Sequence, residues 1–150
     1  MTERWTPHAT VATVIEQDGK FLMVEEISGG QQVINQPAGH IEANESIEQA
    51  ALRETLEETG WEVELTNLIG LYTYTSKGTD PITYHRYCFA ATALKHLPDY
   101  QLDEGILGPK WMSLEELESC QNLRSDLVLT CVKDWASGKR FPLNIIIEHP

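Results

Sequence analysis

The stretch from Gly39 to Trp61, which reads GHIEANESIEQAALRETLEETGW, constrains the fold of this chain more than any other part of the sequence. Ser46 is a favourable helix N-cap, and Gln49 completes a capping-box pattern with it. The residues that follow are mostly strong helix formers, and Gly60 stands where a glycine commonly ends a helix. The pattern predicts a loop that leads into a helix between Ser46 and Gly60.

Acidic residues gather on one face of this predicted helix. At about 100° per residue, Glu54, Glu57 and Glu58 fall within an arc of roughly 100°. Carboxylates this close repel one another unless a cation lies among them, and clustered oxygen ligands suit a hard ion such as Mg²⁺ or Mn²⁺. Arg53 lies one turn before Glu57, where it can pair with that carboxylate and fix its orientation. A solvent-exposed acidic helix is the alternative interpretation of the same pattern.

The spacing within the stretch resembles the signature of the Nudix hydrolases, and this argues against the alternative. In that family a glycine, a glutamate, an Arg-Glu pair, a Glu-Glu pair and a second glycine with a bulky apolar neighbour recur at fixed intervals. Thr55 stands where the family usually has an aliphatic residue. Because we expect Thr55 to face the core, this departure concerns packing and not chemistry. The positions that match the signature are Gly39, Glu45, Arg53, Glu54, Glu57, Glu58, Gly60 and Trp61.

The resemblance implies both a fold and a chemistry. The fold is α/β, the Nudix fold, with a mixed β-sheet sandwiched between α-helices; the order of the predicted strands and helices indicates the same architecture. The chemistry is metal-dependent hydrolysis with Mg²⁺ or Mn²⁺ as the cofactor. By analogy with the family, Glu57 and Glu58 are metal ligands, Glu54 is either a ligand or the general base, and the carbonyl of Ala38 is a further ligand. Arg53 would serve catalysis by positioning Glu57.

Sequence runs outside the signature are similar to one subgroup of the family, the NudJ-type phosphatases. This likeness implies hydrolysis of nucleoside di- and triphosphates or of pyrimidine pyrophosphates. Pyrophosphatase activity on ADP-ribose, another sugar nucleotide or a dinucleoside polyphosphate is the alternative. A non-catalytic nucleotide-binding module is disfavoured because every signature carboxylate is present. The runs are VEE at 24–26, NQPAGH at 35–40, NLRS at 122–125 and SGKRFPL at 137–143.

Several residues outside the helix are candidates for the base and for substrate binding. Some Nudix enzymes take their base from a loop beyond the signature, and here Glu104 of the Asp103-Glu104 pair is the alternative base. Arg86 lies in the middle of a predicted strand, where it faces either solvent or a phosphate. His40 follows the signature glycine and is a second candidate for phosphate contact. Other candidates for phosphate binding or base stacking are Arg124, Arg140, Tyr72, Tyr74, Tyr84 and Trp111.

Composition bounds the remaining possibilities. The length of 150 residues suits a single domain over residues 1–150. The net charge of −12 disfavours nucleic acid or an anionic membrane as partner. The same charge would repel an anionic substrate unless metal and local cations reversed the potential at the site. The three cysteines lack metal-site spacing and are expected to be reduced. Without a signal peptide or a membrane-length apolar run, a cytoplasmic location is expected. A monomer is the expected oligomeric state.

Periodicity along the chain predicts the other elements. Met1 to Pro7 is expected to be a loose lead-in, 95–107 an exposed loop, and the last ten residues an extended tail. The predicted strands are 8–16, 20–26, 32–35, 61–74 (one bent strand or two), 82–94 and 110–113, and the predicted later helices are 113–119 and 122–137.

Overall fold

The computed structural model describes residues 3–149, which form a mixed β-sheet with helices on both of its faces. Three α-helices and one short 3₁₀ helix lie within these residues. The strands are β1 (His8–Gln17), β2 (Lys20–Ser28), β3 (Gln31–Asn35), β4 (Ala38–His40), β5 (Trp61–Thr75), β6 (Thr83–His96) and β7 (Ile106–Ser113). The helices are α1 (Ile47–Thr59), α2 (Leu114–Ser119), α3 (Asp126–Ala136) and the 3₁₀ turn Leu143–Ile145.

Strand β1 lies at the centre of the seven-stranded sheet. Its main neighbours follow the order β3-β2-β1-β6-β5, while β4 pairs with β1 and β7 pairs with β2. The β1–β6 pairing is parallel and the other pairings are antiparallel. Residues 10–15 of β1 are buried without interruption because helices cover the strand on both faces.

The two faces of the sheet carry separate parts of the core. On one face, Val11 and Phe89 pack against Ala50 of α1. The opposite face packs against α2 and α3 in a larger cluster that includes Ala12, Val14, Leu117, Val128 and Val132. The predicted mixed sheet between helices is therefore confirmed.

Helix α1 begins and ends where the sequence predicts. The Ser46 hydroxyl accepts a hydrogen bond from the Gln49 N–H at 3.0 Å, and the Gln49 side chain accepts one from the Ser46 N–H at 2.9 Å. Gly60 ends the helix in the left-handed conformation with φ of 73°, which glycine adopts without steric cost. The signature departure Thr55 is fully buried, and its hydroxyl lies 2.9 Å from that of Thr13 on β1.

Strand β4 is absent from the sequence prediction, which assigned these residues to a loop. The strand has only three residues, too few to show periodicity, and its existence depends on β1 as partner. Gly39 of β4 pairs with Val11 of β1. This pairing holds the glycine beside α1.

The last helix begins later than predicted, at Asp126 instead of Asn122. The Ile34 N–H on β3 donates to the Asn122 carbonyl at 2.9 Å, and the Arg124 N–H donates to the Ile34 carbonyl at 2.8 Å. Because these backbone groups pair with a strand, they cannot join the helix. The extended segment directs Arg124 towards the site described below.

Other differences concern the ends of strands and the tail. Strand β7 begins four residues earlier than predicted because it pairs with β2 along its whole length. The 61–74 segment is one strand with bulges, and the C-terminal tail contains the 3₁₀ turn. Of the predicted lead-in, Met1 and Thr2 lie outside the described residues, and residues 3–7 form no regular structure.

The thiol groups of Cys88, Cys120 and Cys131 are free, as expected for reduced cysteines. None of the helices formed by residues 3–149 has the length and the apolar character needed to cross a membrane.

Candidate active site

Arg53 is the centre of an ion-pair network on α1. Its guanidinium donates two hydrogen bonds to the carboxylate of Glu45, from Nε at 2.9 Å and from an η nitrogen at 2.6 Å. The other η nitrogen donates to Glu54 at 2.8 Å and to Glu57 at 3.2 Å. A further bond to the His40 carbonyl at 3.0 Å ties the helix to the end of β4. One planar side chain therefore fixes three carboxylates relative to the loop.

Glu45 braces the loop that precedes the helix. Besides Arg53, its carboxylate accepts a hydrogen bond from the Glu42 N–H at 2.8 Å. Hydrogen bonding by Arg53 lowers the pKa of Glu45 to about 2, so the carboxylate stays charged and paired near neutral pH. Glu45 and Arg53 are therefore already charged and paired in the absence of a ligand.

Three acidic side chains converge at the exposed end of this network. Ligand oxygens of Glu54, Glu57 and Asp103 all lie within 4.8 Å of one another. Burial raises the pKa of Glu54, and burial together with the Asp103 carboxylate raises the pKa of Glu57. The shifts reflect burial first and repulsion between neighbouring carboxylates second, and a bound divalent cation would favour the charged carboxylates against both. An oxygen-only donor set fits a hard ion such as Mg²⁺ or Mn²⁺.

Asp103, and not its neighbour Glu104, is the loop residue in this cluster. The Asp103 N–H donates to the carbonyl of Glu57 at 3.1 Å, which holds the loop against the end of α1. Glu104 is exposed and does not belong to the cluster. Sequence reasoning named Glu104 of this pair as the alternative base; that Asp103 is the member beside Glu54 and Glu57 depends on this backbone contact, which the sequence does not show.

Glu58 lies one helical position further on, in a more buried place. Only 8% of it is exposed, and its carboxylate accepts a hydrogen bond from the Ala38 N–H at 2.9 Å. Burial raises the pKa of Glu58 to about 8, with smaller contributions from nearby acidic groups, among them Glu54 and Glu26. Such a pKa favours the protonated carboxyl near neutral pH, and a divalent cation bound there would displace the proton.

Gly39 makes room for the carboxylate of Glu54. A Cβ atom at position 39 would lie 2.1 Å from the carboxyl carbon of Glu54, so any side chain would displace that group. The φ angle of Gly39 does not lie in the left-handed region; the need for glycine is one of space, not of backbone conformation. This cradle, together with the oxygen donors around it, fits a metal site at the carboxylates.

A cavity of about 620 Å³ opens beside these carboxylates. Glu54, Glu58, Ala38 and Gly39 are among the residues that line it. Glu54 therefore belongs both to the acidic cluster and to the cavity wall. The volume is in the range of pockets that bind small molecules.

Arg86 is a cation of the cavity wall, whereas from the sequence it could face either solvent or a phosphate. Its side chain lines the cavity and donates a hydrogen bond to the Gln36 side-chain carbonyl at 3.2 Å. Burial lowers the pKa of the Arg86 guanidinium, and the nearby Arg124 lowers it further. Among residues 3–149, only the Nε atom of Arg86 and the Thr10 hydroxyl are buried side-chain polar atoms without a hydrogen-bond partner. Thr10 lines the same cavity.

Arg124 is a second cation of the cavity wall. An η nitrogen donates to the buried carboxylate of Glu26 at 2.8 Å, and the Asn35 amide donates to the same oxygen at 3.2 Å. The runs VEE, NQPAGH and NLRS of the sequence thus meet in one place. The sequence identified these three runs but did not predict that they lie side by side in the fold.

Aromatic rings form the edge of the cavity near the end of β4. His40 lines the cavity, and its Nε2 lies 2.9 Å from Nδ1 of His8. Tyr84 packs edge-on against His8, with ring centroids 5.6 Å apart. Tyr84 and Tyr74 line the cavity, whereas Tyr72 bonds to α3 and Trp111 packs against Trp61.

Arg140, the remaining cation candidate, lies elsewhere. Its guanidinium stacks over the ring of Trp135 at 4.6 Å and donates to the Trp135 carbonyl. It therefore contributes to packing at the end of α3 and is not among the cavity-lining residues.

Comparison with known proteins places this site in context. The sequence profile of the NUDIX domain matches residues 5–129. Phosphatase NudJ of Escherichia coli (strain K12) is 39% identical over 140 residues, which span 93% of this chain and 90% of that protein.

Solved structures give the same picture. A NUDIX hydrolase from Nitrosomonas europaea has a TM-score of 0.92 and 44% identity, over 96% of this chain and 98% of that one. A crystal structure of UDP-X diphosphatase has a TM-score of 0.74 at 20% identity, over 94% of this chain and 68% of that one, a likeness of fold alone.

Proposed function

This chain belongs to the Nudix family and is a Nudix hydrolase, and on that premise we propose that it is a NudJ-like phosphohydrolase dependent on Mg²⁺ or Mn²⁺. Its substrates would be nucleoside di- or triphosphates or pyrimidine pyrophosphates, and residues 1–150 would act as one domain. The observation that carries the proposal is the polarity of the cavity. The acidic side chains of Glu54 and Glu58 and the cationic side chains of Arg86 and Arg124 all line it.

The carboxylates of α1 are the proposed holders of the divalent ion. Glu54, Glu57 and Glu58, with the carbonyl of Ala38, would provide its ligands, and Asp103 adds a carboxylate within reach of the first two. When bound, such an ion neutralises phosphate oxygens and lowers the pKa of water. Arg53 keeps Glu54 and Glu57 in place through hydrogen bonds of 2.8 and 3.2 Å.

Glu54 is the proposed general base. A base must be unprotonated yet basic enough to take a proton from water, and burial raises the pKa of Glu54 above its ordinary value. The side chain lies on a rigid helix, at the wall of the cavity, and is oriented by Arg53. Asp103 is the loop alternative supported by the geometry, in place of Glu104.

Arg86 and His40 are the proposed contacts for the phosphate groups. Both line the cavity, and Arg86 has hydrogen-bonding capacity left over after its single bond to Gln36. Hydrolysis moves one oxygen from water to phosphorus, breaks the bridging P–O bond and leaves the proton of water on the base. The cations of the wall would stabilise the charge on the phosphoryl oxygens during that step.

A screen of Mg²⁺-dependent hydrolysis tests this function. The panel holds nucleoside di- and triphosphates, pyrimidine pyrophosphates, ADP-ribose and a dinucleoside tetraphosphate, and the products are separated by chromatography. We expect orthophosphate or diphosphate release from the first groups and none in excess EDTA. Release of AMP and ribose phosphate from ADP-ribose as the dominant reaction would favour a sugar-nucleotide pyrophosphatase, and full activity in EDTA would overturn the metal mechanism.

A further inference from the structure

Gln36 is a fully buried polar residue to which the proposed function assigns no role. It lies between β3 and β4, and its side-chain amide makes three contacts inside the protein. The amide oxygen accepts the hydrogen bond from an η nitrogen of Arg86 at 3.2 Å. The amide nitrogen donates to the Thr13 carbonyl at 3.3 Å and to the Cys88 sulfur at 3.6 Å. Burying an amide is unfavourable unless its polar groups are bonded, and here both of them are.

These contacts fix the direction of the Gln36 amide. Arg86 can only donate hydrogen bonds, and the Thr13 carbonyl can only accept them. If the amide were turned over, its nitrogen would face the guanidinium and its oxygen would face the carbonyl, so both bonds would be lost. The backbone of β1 therefore holds the amide oxygen of Gln36 towards Arg86.

Strand geometry brings the partners of this amide within reach of one side chain. Arg86 and Cys88 are two residues apart on β6, so their side chains project from the same face of the sheet. Gln36 bonds to both of them, one with each end of its amide. The amide thus bridges β1 and β6 and fixes the Arg86 side chain in the wall of the cavity.

The two arginines of the cavity wall are held by groups of different charge. Arg124 forms a salt bridge with Glu26 at 2.8 Å. Among residues 3–149, no carboxylate oxygen lies within 4.0 Å of a guanidinium nitrogen of Arg86. Because Gln36 carries no net charge, it orients Arg86 and leaves the positive charge uncompensated. A carboxylate in its place would also orient the guanidinium, but it would weaken the attraction of Arg86 for an anion.

We propose that Gln36 is a positioning residue for substrate binding, which directs the Arg86 guanidinium at a phosphate group in the cavity without neutralising it. The inference rests on the proposed function, in which Arg86 contacts phosphate. Gln36 is fully buried and is not among the residues that line the cavity, so it acts on a ligand through Arg86.

A double-mutant cycle separates this role from a purely structural one. Isothermal titration calorimetry in Mg²⁺ measures the binding of α,β-methylene-ADP, a non-hydrolysable diphosphate, to the wild type, Gln36→Met, Arg86→Met and the double variant. Gln36→Met keeps an unbranched side chain of similar length and removes its hydrogen bonds. It should weaken binding about 3- to 30-fold, and Arg86→Met should weaken it about 10- to 100-fold. In the Arg86→Met background, Gln36→Met should weaken binding less than about twofold further, because the residue through which it acts is gone.

Gln36→Glu tests the requirement for a neutral partner. The new side chain keeps the shape of the old one and an oxygen that faces Arg86, and the adjacent guanidinium favours its charged form. Binding of α,β-methylene-ADP should be about tenfold or more weaker than in the wild type, although Arg86 still has a hydrogen-bond partner.

Gln17 provides a matched control, since it is exposed at the end of β1 and does not line the cavity. Gln17→Met and Gln17→Glu make the same chemical changes and should alter the affinity less than about twofold. Thermal melting confirms that each protein is folded. If Gln36→Met does not fold, Gln36→Asn and Arg86→Lys form the cycle, since an amide that is one carbon shorter cannot reach the same partners.

Equal losses from the Gln36 substitution in both backgrounds would show a structural role and overturn the inference. Wild-type affinity in Gln36→Met or in Gln36→Glu would overturn it too, as would a wild type that does not bind the analogue. The outcome is separable from that of the hydrolysis screen because the analogue is not cleaved. The predicted coupling in a protein that cleaves no phosphoanhydride would refute the proposed function and retain the role of Gln36. Hydrolysis without the coupling would do the reverse.

Discussion

At the scale of single residues, the site is a balance between carboxylates that Arg53 neutralises and carboxylates that it does not. Arg53 lowers the pKa of Glu45 to about 2, whereas the pKa of Glu58 lies near 8. Both side chains belong to the same short stretch of sequence. Their difference comes from burial and from which of them the guanidinium reaches, neither of which the residue type reveals.

The general base is the first residue-scale prediction. If Glu54 takes the proton, Glu54→Gln should flatten the acid limb of the pH–rate profile, since that limb reports protonation of the base. Asp103→Asn and Glu104→Gln are the matched loop variants, and each should leave the shape of the profile intact. The profiles are measured at saturating Mg²⁺ on a good substrate from the screen. An unchanged profile in Glu54→Gln beside a flattened one in either loop variant would transfer the role to the loop.

The pKa of Glu58 gives a second prediction, for stability without metal. Because its folded pKa of about 8 lies above its ordinary value of 4.5, the folded state binds the proton more tightly than the unfolded state. The contribution of Glu58 to the free energy of unfolding is therefore fully present below pH 4.5 and lost as the pH rises through 8.

Urea unfolding in EDTA at about pH 5 and about pH 8.5 checks this linkage. The wild type should lose more stability across that interval than Glu58→Gln, which has no proton to release there. Other groups titrate in both proteins, including Glu54 and Glu57 in the same direction and His40 in the opposite one. Equal pH dependence in the two proteins would show that Glu58 is ionised at neutral pH in the folded state.

At the scale of elements, contacts with β1 and β4 determine the position of helix α1. Gly39 of β4 gives space to Glu54, and Thr13 of β1 meets Thr55 in the core. The Thr55 hydroxyl donates to the Ala51 carbonyl at 2.8 Å, which leaves its oxygen to accept the Thr13 proton. A polar pair thus occupies the place where the family usually has an aliphatic side chain.

This direction of hydrogen bonding predicts asymmetric costs for the two threonines. Thr55→Val removes the acceptor of a buried hydroxyl and should destabilise the fold by about 1–3 kcal/mol. Thr13→Val leaves Thr55 bonded to Ala51 and should cost less, about 0.5–1.5 kcal/mol. The double variant should recover part of the loss of Thr55→Val, since no orphan hydroxyl remains. Chemical denaturation of the four proteins measures this cycle, and strictly additive, equal losses would contradict it.

Elements with local signals could be predicted from the sequence, and those that depend on distant partners could not. Ser46 and Gln49 determine the start of α1 and Gly60 determines its end, and each of them makes its capping contact within a few residues. Strand β4 and the late start of α3 depend instead on β1 and on Ile34 of β3. For the same reason, the carboxylates of the helix could be predicted to lie together, whereas the place of Arg124 at the cavity could not, because it follows from the pairing of its segment with β3.

At the scale of the whole molecule, the protein is strongly acidic yet presents a cationic wall to its cavity. The net charge of −12 should repel an anionic phosphate at long range. Arg86 and Arg124, which line the cavity, reverse the sign locally, while the carboxylates that line it require a divalent ion to do so. The sequence predicted this need for local cations and offered Arg86, Arg124 and Arg140 as candidates, of which Arg86 and Arg124 line the cavity.

The central claim is that the carboxylate cluster of α1 holds the divalent ion required for hydrolysis. Initial rates of phosphate release, titrated with Mg²⁺ for the wild type and Glu57→Gln, test it most directly, with thermal melting to confirm that both proteins are folded. Loss of a residue that only hydrogen-bonds a metal ligand commonly lowers metal affinity or activity about 10- to 100-fold. Loss of the ligand Glu57 should therefore lower the rate about 100-fold or more and shift half-saturation to higher Mg²⁺. A folded Glu57→Gln protein that reached wild-type rates at the same Mg²⁺ concentration would contradict the account.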